Sequence, residues 1–295
     1  MADFFRYVMI GLGNGAIYAM IGLGLVVIFR STGLLNFSQG EIAMFTTWIV
    51  WQLHEWGVPI VVAIIGGILG GFVIGVITQK VVIEPFGDPH QKPLALVIVT
   101  IGLYLGFNAL AQLIWGTETL PFPTLFGQGS VELFSVAVSW QKLGALAVLA
   151  VGAVLLWLVF QRTKLGLAMR TVASNSESAA LVGIPVNRIL MLGWGLAAAI
   201  GAVAGSFTAS SRFGIDSSLM LLVLIYAFAA ITLGGFDSLP GAVLGGLLVG
   251  VVSEVIPRYV SWISKMPLAP AFALILIVLL VKPEGLLGKQ NVSRV

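Results

Sequence analysis

The residues best suited to chemistry lie in "LLNFSQGEIAMF", residues 34–45, where Asn36, Ser38, Gln39 and Glu41 interrupt an otherwise apolar stretch. An amide, a hydroxyl and a carboxylate grouped in this way can bind a small polar solute or the backbone of a chain turn. Asn and Ser side chains hydrogen-bond nearby backbone groups and so favour turns and helix starts over helix interiors. A second set, Thr100, Tyr104, Asn108 and Gln112, recurs at steps of four along one drifting helical face. Asn14 and Tyr18 form a smaller version of it. Such a row can line a polar path for a zwitterion, or it can bind helices together through interhelical hydrogen bonds of only about 0.6 kcal/mol each.

Several kinds of chemistry are missing. No phosphate loop of the form G-x-x-x-x-G-K-[ST] occurs, because "LLGKQ" near the end lacks a glycine-rich lead. His54 and His90 read as isolated loop histidines with no acidic or Cys partner at ligand spacing, so no metal site is expected. With no histidine near a span centre, a Ser/His/Asp hydrolase is also excluded. Cysteine is absent, which rules out disulfides and leaves the redox compartment unread.

The elements that position these residues are membrane helices. Of 295 residues, 59% are hydrophobic and only 9% charged, against roughly a quarter charged in soluble domains. The mean hydropathy is +1.06. Crossing the ~30 Å hydrocarbon core takes about 20 apolar residues. The charge-free windows of adequate length are Tyr7–Phe29, Trp56–Gln79, Pro93–Thr117, Leu143–Gln161, Ile189–Ser211 and Ser217–Phe236. Ile42–Leu53, Ser238–Ser253 and Met266–Val281 are shorter. The chain therefore reads as an all-α, polytopic transmembrane bundle of about eight or nine membrane elements, broken or re-entrant helices among them. It forms a single membrane domain over 1–295, and its first span is expected to remain uncleaved.

The net charge of +3 reports topology and not affinity for nucleic acid. Arg162, Lys164, Arg170 and Arg188 cluster in 161–188, and Lys282, Lys289 and Arg294 lie in the tail. The positive-inside rule puts both segments, and hence the C-terminus, in the cytoplasm. Lys80 and Lys92 place the loop between them on the same side, and the Lys/Arg-poor loop 118–141 falls outside. Glycines repeat at four-residue spacing: Gly67, Gly71 and Gly75; Gly201 and Gly205; Gly241 and Gly245; Gly246 and Gly250. Small residues so spaced let helix backbones meet closely, either within one bundle or at a seam between subunits. Glu254, beside Pro257 and Arg258, reads as interfacial, and "FDSLPG" over 236–241 reads as a turn.

In the cytoplasmic stretch "RTVASNSESAALVGIPVNRIL", Ser174 with Glu177 three residues on is a capping-box start. Asn175–Val182 then reads as a two-turn helix stopped by Gly183 and Pro185. A helix this short is unstable alone in water, so it packs on its own bundle or on a partner. "SESAALVGI" resembles the E-x-A-A…G-I coupling helix of ABC importer permeases. "NFSQGE" after the first span resembles the N-F-(A/S)-x-G-E stretch of branched-chain amino acid ABC importer permeases, and "LGGFDSLPGAVLGGLLVG" resembles their L-G-G-x-x-S-x-P-G-A-x-x-G-G motif. The three matches lie in order across residues 11–250.

The resemblance implies a permease subunit of the bacterial inner membrane, importing a branched-chain amino acid or a similar small solute; relatives carry urea, short amides or aromatic acids. It implies two ABC ATPase subunits holding ATP and Mg, a second and different permease, an extracytoplasmic solute-binding protein, and no cofactor or catalysis in this chain. Glu177, Ala179, Ala180, Gly183 and Ile184 match the coupling segment. From residues alone, 35–41 is either a broken membrane helix bordering the pathway or a cytoplasmic turn with Glu41 at a helix start; the resemblance favours the pathway. An ion-coupled secondary transporter is the alternative, but it normally carries ionisable residues mid-span, where this chain offers Glu41.

Overall fold

The computed structural model describes residues 2–87, 92–127, 129–133 and 136–288. His90, Lys289 and Arg294 of the sequence reading lie outside them. Helix follows helix: α1 (Ala2–Thr32), α2 (Gln39–Glu55), α3 (Ile60–Thr78), α4 (Pro93–Trp115), α5 (Trp140–Arg162), α6 (Lys164–Ser174), α7 (Ser176–Leu181), α8 (Val186–Arg212), α9 (Leu221–Gly234), α10 (Leu239–Tyr259) and α11 (Ala269–Val281). Beyond Thr78, α3 continues through a π-helical turn (Gln79–Ile83) and a 3-10 turn (Glu84–Phe86). Strands are short: β1 (Leu120–Pro121) pairs with β4 (Gly214–Ile215), and β2 (Ser130–Leu133) with β3 (Val136–Ser139), both antiparallel. The chain is an all-α polytopic helix bundle.

Among the described residues, six helices are long and apolar enough to cross a membrane. Two windows exchange rank. Ser217–Phe236 yields only the 14-residue α9, because Asp216 accepts from the Ser218 amide at 2.8 Å and holds that start in a turn. The shorter-looking Ser238–Ser253 becomes the 21-residue α10, running past Glu254 and Pro257 to Tyr259. A charge-free criterion stops at Glu254, whereas the helix continues because Asn14 donates to that carboxylate at 2.7 Å.

The chain divides into two compact units. The first comprises Met1–Val26, Phe126–Ala153 and Ile225–Val295. In it, the start of α1 meets α10 at glycines on both sides: a Cβ on Gly11 would stand 2.6 Å from the Val251 Cα, and one on Gly246 2.6 Å from the Ala19 Cα. Gly241 and Gly245 of α10 lie against the Gly234 and Ala230 carbonyls of α9. An apolar core follows, with Tyr226, Leu233, Val249, Ala271 and Val278 buried together. "FDSLPG" forms the expected turn, and the Ser238 hydroxyl caps α10 by accepting from the Gly241 amide at 3.1 Å.

The second unit comprises Val27–Leu125 and Val154–Leu224. Its centre is α3 packed on α8 and α2. One face of α3 is glycine: a Cβ on Gly71 would stand 3.0 Å from the Ala198 carbonyl oxygen, and one on Gly75 would overlap the Trp194 carbonyl. The opposite face carries Ile65, Leu69, Val73 and Ile77, all more than half exposed, as suits contact with lipid tails. Of the two roles open to the four-residue glycine rows, these take packing within the chain. The bare face is tested by Gly75→Leu, which is expected to cost about 3 kcal/mol of stability because the obstacle is backbone and cannot swing away. Gly102→Leu on α4, where no atom lies within 4 Å of an added Cβ, is expected to leave stability unchanged. Thermal unfolding of the two purified variants checks the contrast, and equal melting temperatures would refute the close approach.

Candidate functional site

The site is built on the break between α1 and α2, within the second unit. Helix α1 stops at Thr32, and Gly33 turns the chain at φ 72°, a left-handed value that glycine adopts without strain. The Asn36 Oδ1 then accepts from the Ser38 amide at 3.0 Å and from the Ser38 hydroxyl at 2.6 Å. This closed turn leaves Ser38 as the residue before α2, its hydroxyl directed back to Asn36 and not forward as a cap. Asn36, Ser38, Gln39 and Glu41 are all 2% exposed or less, so the stretch is an interior break and not an exposed turn.

Gln39 and Glu41 are each tied to another element. The Gln39 Nε2 donates to the Ala197 carbonyl of α8 at 2.9 Å. The Asn108 Nδ2 of α4 donates to the Glu41 carboxylate at 3.0 Å and to the Ser217 carbonyl at 2.9 Å, while its Oδ1 accepts from Gln112 Nε2 at 2.6 Å. Asn108 therefore uses both donor hydrogens and its acceptor, joining α2, α4 and the turn before α9. The Asn36 Nδ2 and Gln39 Oε1 are buried without a hydrogen-bond partner, polar capacity that interior positions rarely leave unmatched.

Thr100 and Tyr104 share the α4 face with Asn108. Thr100 is buried and donates to the Val97 carbonyl of its own helix at 2.8 Å, and Tyr104 is partly exposed. Asn14 and Tyr18 belong to the first unit, in different surroundings. Asn14 meets Glu254, and the Tyr18 ring stacks on Tyr226 with centroids 4.6 Å apart. Glu254, read from sequence as interfacial, accepts from Asn14 and is partly buried.

An aromatic layer beside Glu41 was missed by the sequence reading. Phe45 packs edge-on to Phe107 at 5.4 Å and to Trp115 at 5.3 Å, and Trp48 stacks on Trp115 at 5.3 Å. The Trp115 Nε1 donates to Gln52 Oε1 at 2.9 Å. The signal was present as Glu41, Phe45, Trp48 and Gln52 at helical spacing on α2, facing Asn108, Gln112 and Trp115 at helical spacing on α4.

A second feature of the same unit is α7. Its cap is Asn175 and not Ser174: the Asn175 Oδ1 accepts from the Ser178 amide at 2.8 Å, and Ser174 is the last residue of α6. Asn175 is extended at φ −162°, ψ 106°, as an N-cap requires, whereas Ser174 still has the preceding helix's conformation. The helix ends at Gly183 (φ 84°), with amides 183 and 184 bonded to the Ala180 and Ala179 carbonyls at 3.0 Å each. Ala179 is fully buried, while Leu181 and Val182 are 89% and 73% exposed. The amphipathic α6 before it, anchored through Met169 and Val172, was not anticipated. His54, expected in a loop, sits in the last turn of α2 with its Nδ1 3.0 Å from the Val58 carbonyl oxygen. No cluster of metal-ligating side chains occurs among the described residues.

A family profile described as branched-chain amino acid transport system, permease component, matches residues 7–281. The chain belongs to this permease family. The permease is 29% identical to the high-affinity branched-chain amino acid transport system permease protein LivH of Salmonella typhimurium, over 97% of this chain and 96% of that one. It is equally similar to BraD of Pseudomonas aeruginosa, a protein of the same description, over the same shares. More distantly, it is 28% identical over 83% of its length to 68% of the galactofuranose transporter permease protein YtfT of Escherichia coli. No solved structure matches with significance. In this permease the Asn36–Glu41 break is buried in protein and tied to α4 through Asn108.

Proposed function

We propose that this permease is the inner-membrane subunit of an ATP-driven importer that moves a branched-chain or similar small amino acid into the cytoplasm. The observation that carries the reading is the buried carboxylate of Glu41, held by Asn108 beside the aromatic layer of Phe45 and Trp115. A zwitterionic amino acid with an apolar side chain presents an ammonium to the carboxylate and its hydrocarbon to the rings. Asn36, Ser38, Gln39, Thr100 and Tyr104 extend the passage. LivH and BraD are named for branched-chain amino acid transport, which supports that solute class.

The drive comes from outside the chain. Two ABC ATPases hold ATP and Mg, and α7 couples them to the spans through Glu177, Ala180 and the exposed Leu181 and Val182, with Gly183 and Ile184 turning the chain back. A second, different permease subunit completes the channel, and an extracytoplasmic binding protein delivers the solute. Arg162, Lys164, Arg170 and Arg188 put the 161–188 coupling loop in the cytoplasm, and the C-terminus lies on the same side.

One observation favours an ion-coupled alternative: Glu254 with Asn14 supplies a second carboxylate within a membrane helix. Proteoliposomes separate the two readings. Uptake of radiolabelled leucine is expected to require the ATPases, ATP and the binding protein together. Uptake by the permease alone, driven by a proton or sodium gradient, would overturn the ATP-driven reading.

A further inference from the structure

A cavity of about 10 Å³ lies in the second unit where the end of α1, the α1–α2 break, α4 and α8 meet. That is room for one water molecule. Asn36 and Trp194 line it at 1% and 3% exposure. Neither the Asn36 Nδ2 nor the Trp194 Nε1 has a hydrogen-bond partner among the described residues, and buried donors are seldom left so. Thr32 and Thr100 line the same cavity. Thr32 gives its hydroxyl proton to the Ile28 carbonyl at 2.9 Å, and Thr100 gives its own to the Val97 carbonyl at 2.8 Å. The Thr32 oxygen also accepts from the Leu34 amide at 3.2 Å. It therefore keeps one acceptor position, and the Thr100 oxygen keeps both of its own.

We propose that this cavity binds a single ordered water that joins the α1–α2 break to α4 and α8. The water accepts from the Asn36 Nδ2 and the Trp194 Nε1 and donates to the Thr32 and Thr100 hydroxyl oxygens. Two donors and two acceptors match a water's two lone pairs and two protons, and a buried water typically makes about three such bonds. An ammonium has no lone pair to offer the two N–H groups, and a carboxylate, with three heavy atoms, exceeds the room. Cavities that stay dry are apolar, whereas four hydrogen-bonding side chains line this one. Asn36 already closes the turn through its Oδ1 and Ser38; through the water its Nδ2 reaches two further helices. The inference goes beyond the transport reading and does not depend on it, since the isolated permease tests it.

The first test is a cryo-electron microscopy map of the full-length permease in lipid nanodiscs, at a resolution that shows ordered water. One density peak is expected within hydrogen-bonding distance of both the Asn36 Nδ2 and the Trp194 Nε1. The second is a cycle of melting temperatures. Thr100→Val keeps the shape of the side chain but removes an acceptor of the water, and is expected to lower the melting temperature by about 2–4 °C. In a Trp194→Phe background, where the water has already lost a donor, the same substitution is expected to shift melting about half as far or less. A map with no peak there, either N–H group bonded directly to protein, Thr100→Val melting at or above wild type, or equal Thr100→Val shifts in both backgrounds would each overturn the proposal.

Discussion

Glu41→Ala is expected to cut amino-acid uptake about a hundredfold while the permease still inserts and assembles with its partners. Removing the carboxylate strips Asn108 of one of its two acceptors in a buried setting. Breaking a buried, charge-assisted contact costs about 3 kcal/mol, equivalent to the predicted factor. Glu41→Gln separates structure from recognition, because it keeps a carbonyl oxygen for the Asn108 amide and removes only the charge. If Glu41 faces the solute's ammonium, Glu41→Gln also loses at least about tenfold in uptake. Uptake by Glu41→Gln at the wild-type rate would leave Glu41 as a packing group.

The second large effect belongs to α7. Ala180→Arg combined with Leu181→Glu is expected to abolish ATPase association, read by co-purification, with normal membrane insertion and unchanged melting of the permease alone. Both positions are exposed, so the fold has no stake in them, whereas a docking surface cannot accept two charged side chains in place of small and apolar ones. Ala179→Arg is the contrasting variant: Ala179 is fully buried, so it is expected to damage the permease itself. Retained ATPase association in the Ala180→Arg/Leu181→Glu variant would remove α7 from the coupling role.

What could be read from the sequence follows the range of the forces involved. Span positions were legible because hydrophobic runs act locally, and the α1–α2 break was legible because Asn36 and Ser38 bond to each other within three residues. Partner choice was not. Glu41 and Asn108 lay in separate polar sets 67 positions apart, and only packing brings them to 3.0 Å. Four-residue glycine spacing announced close helix approach but not that Gly71 and Gly75 face α8. A charge rule shortened α10 at Glu254 because the compensating Asn14 lies 240 residues away. The choice between Ser174 and Asn175 as cap turned on one backbone dihedral pair, to which residue preference is blind.

The central claim, that the buried break at 36–41 opens onto the solute's path, is tested most directly by thiol accessibility. The chain has no cysteine, so Ser38→Cys provides a single reporter at a position that is fully buried here. In the reconstituted transporter, a small cationic thiol reagent is expected to label it at least about tenfold faster during ATP turnover than at rest, with saturating leucine slowing the reaction. Labelling that is absent in both states, or equally fast in both, would contradict the account.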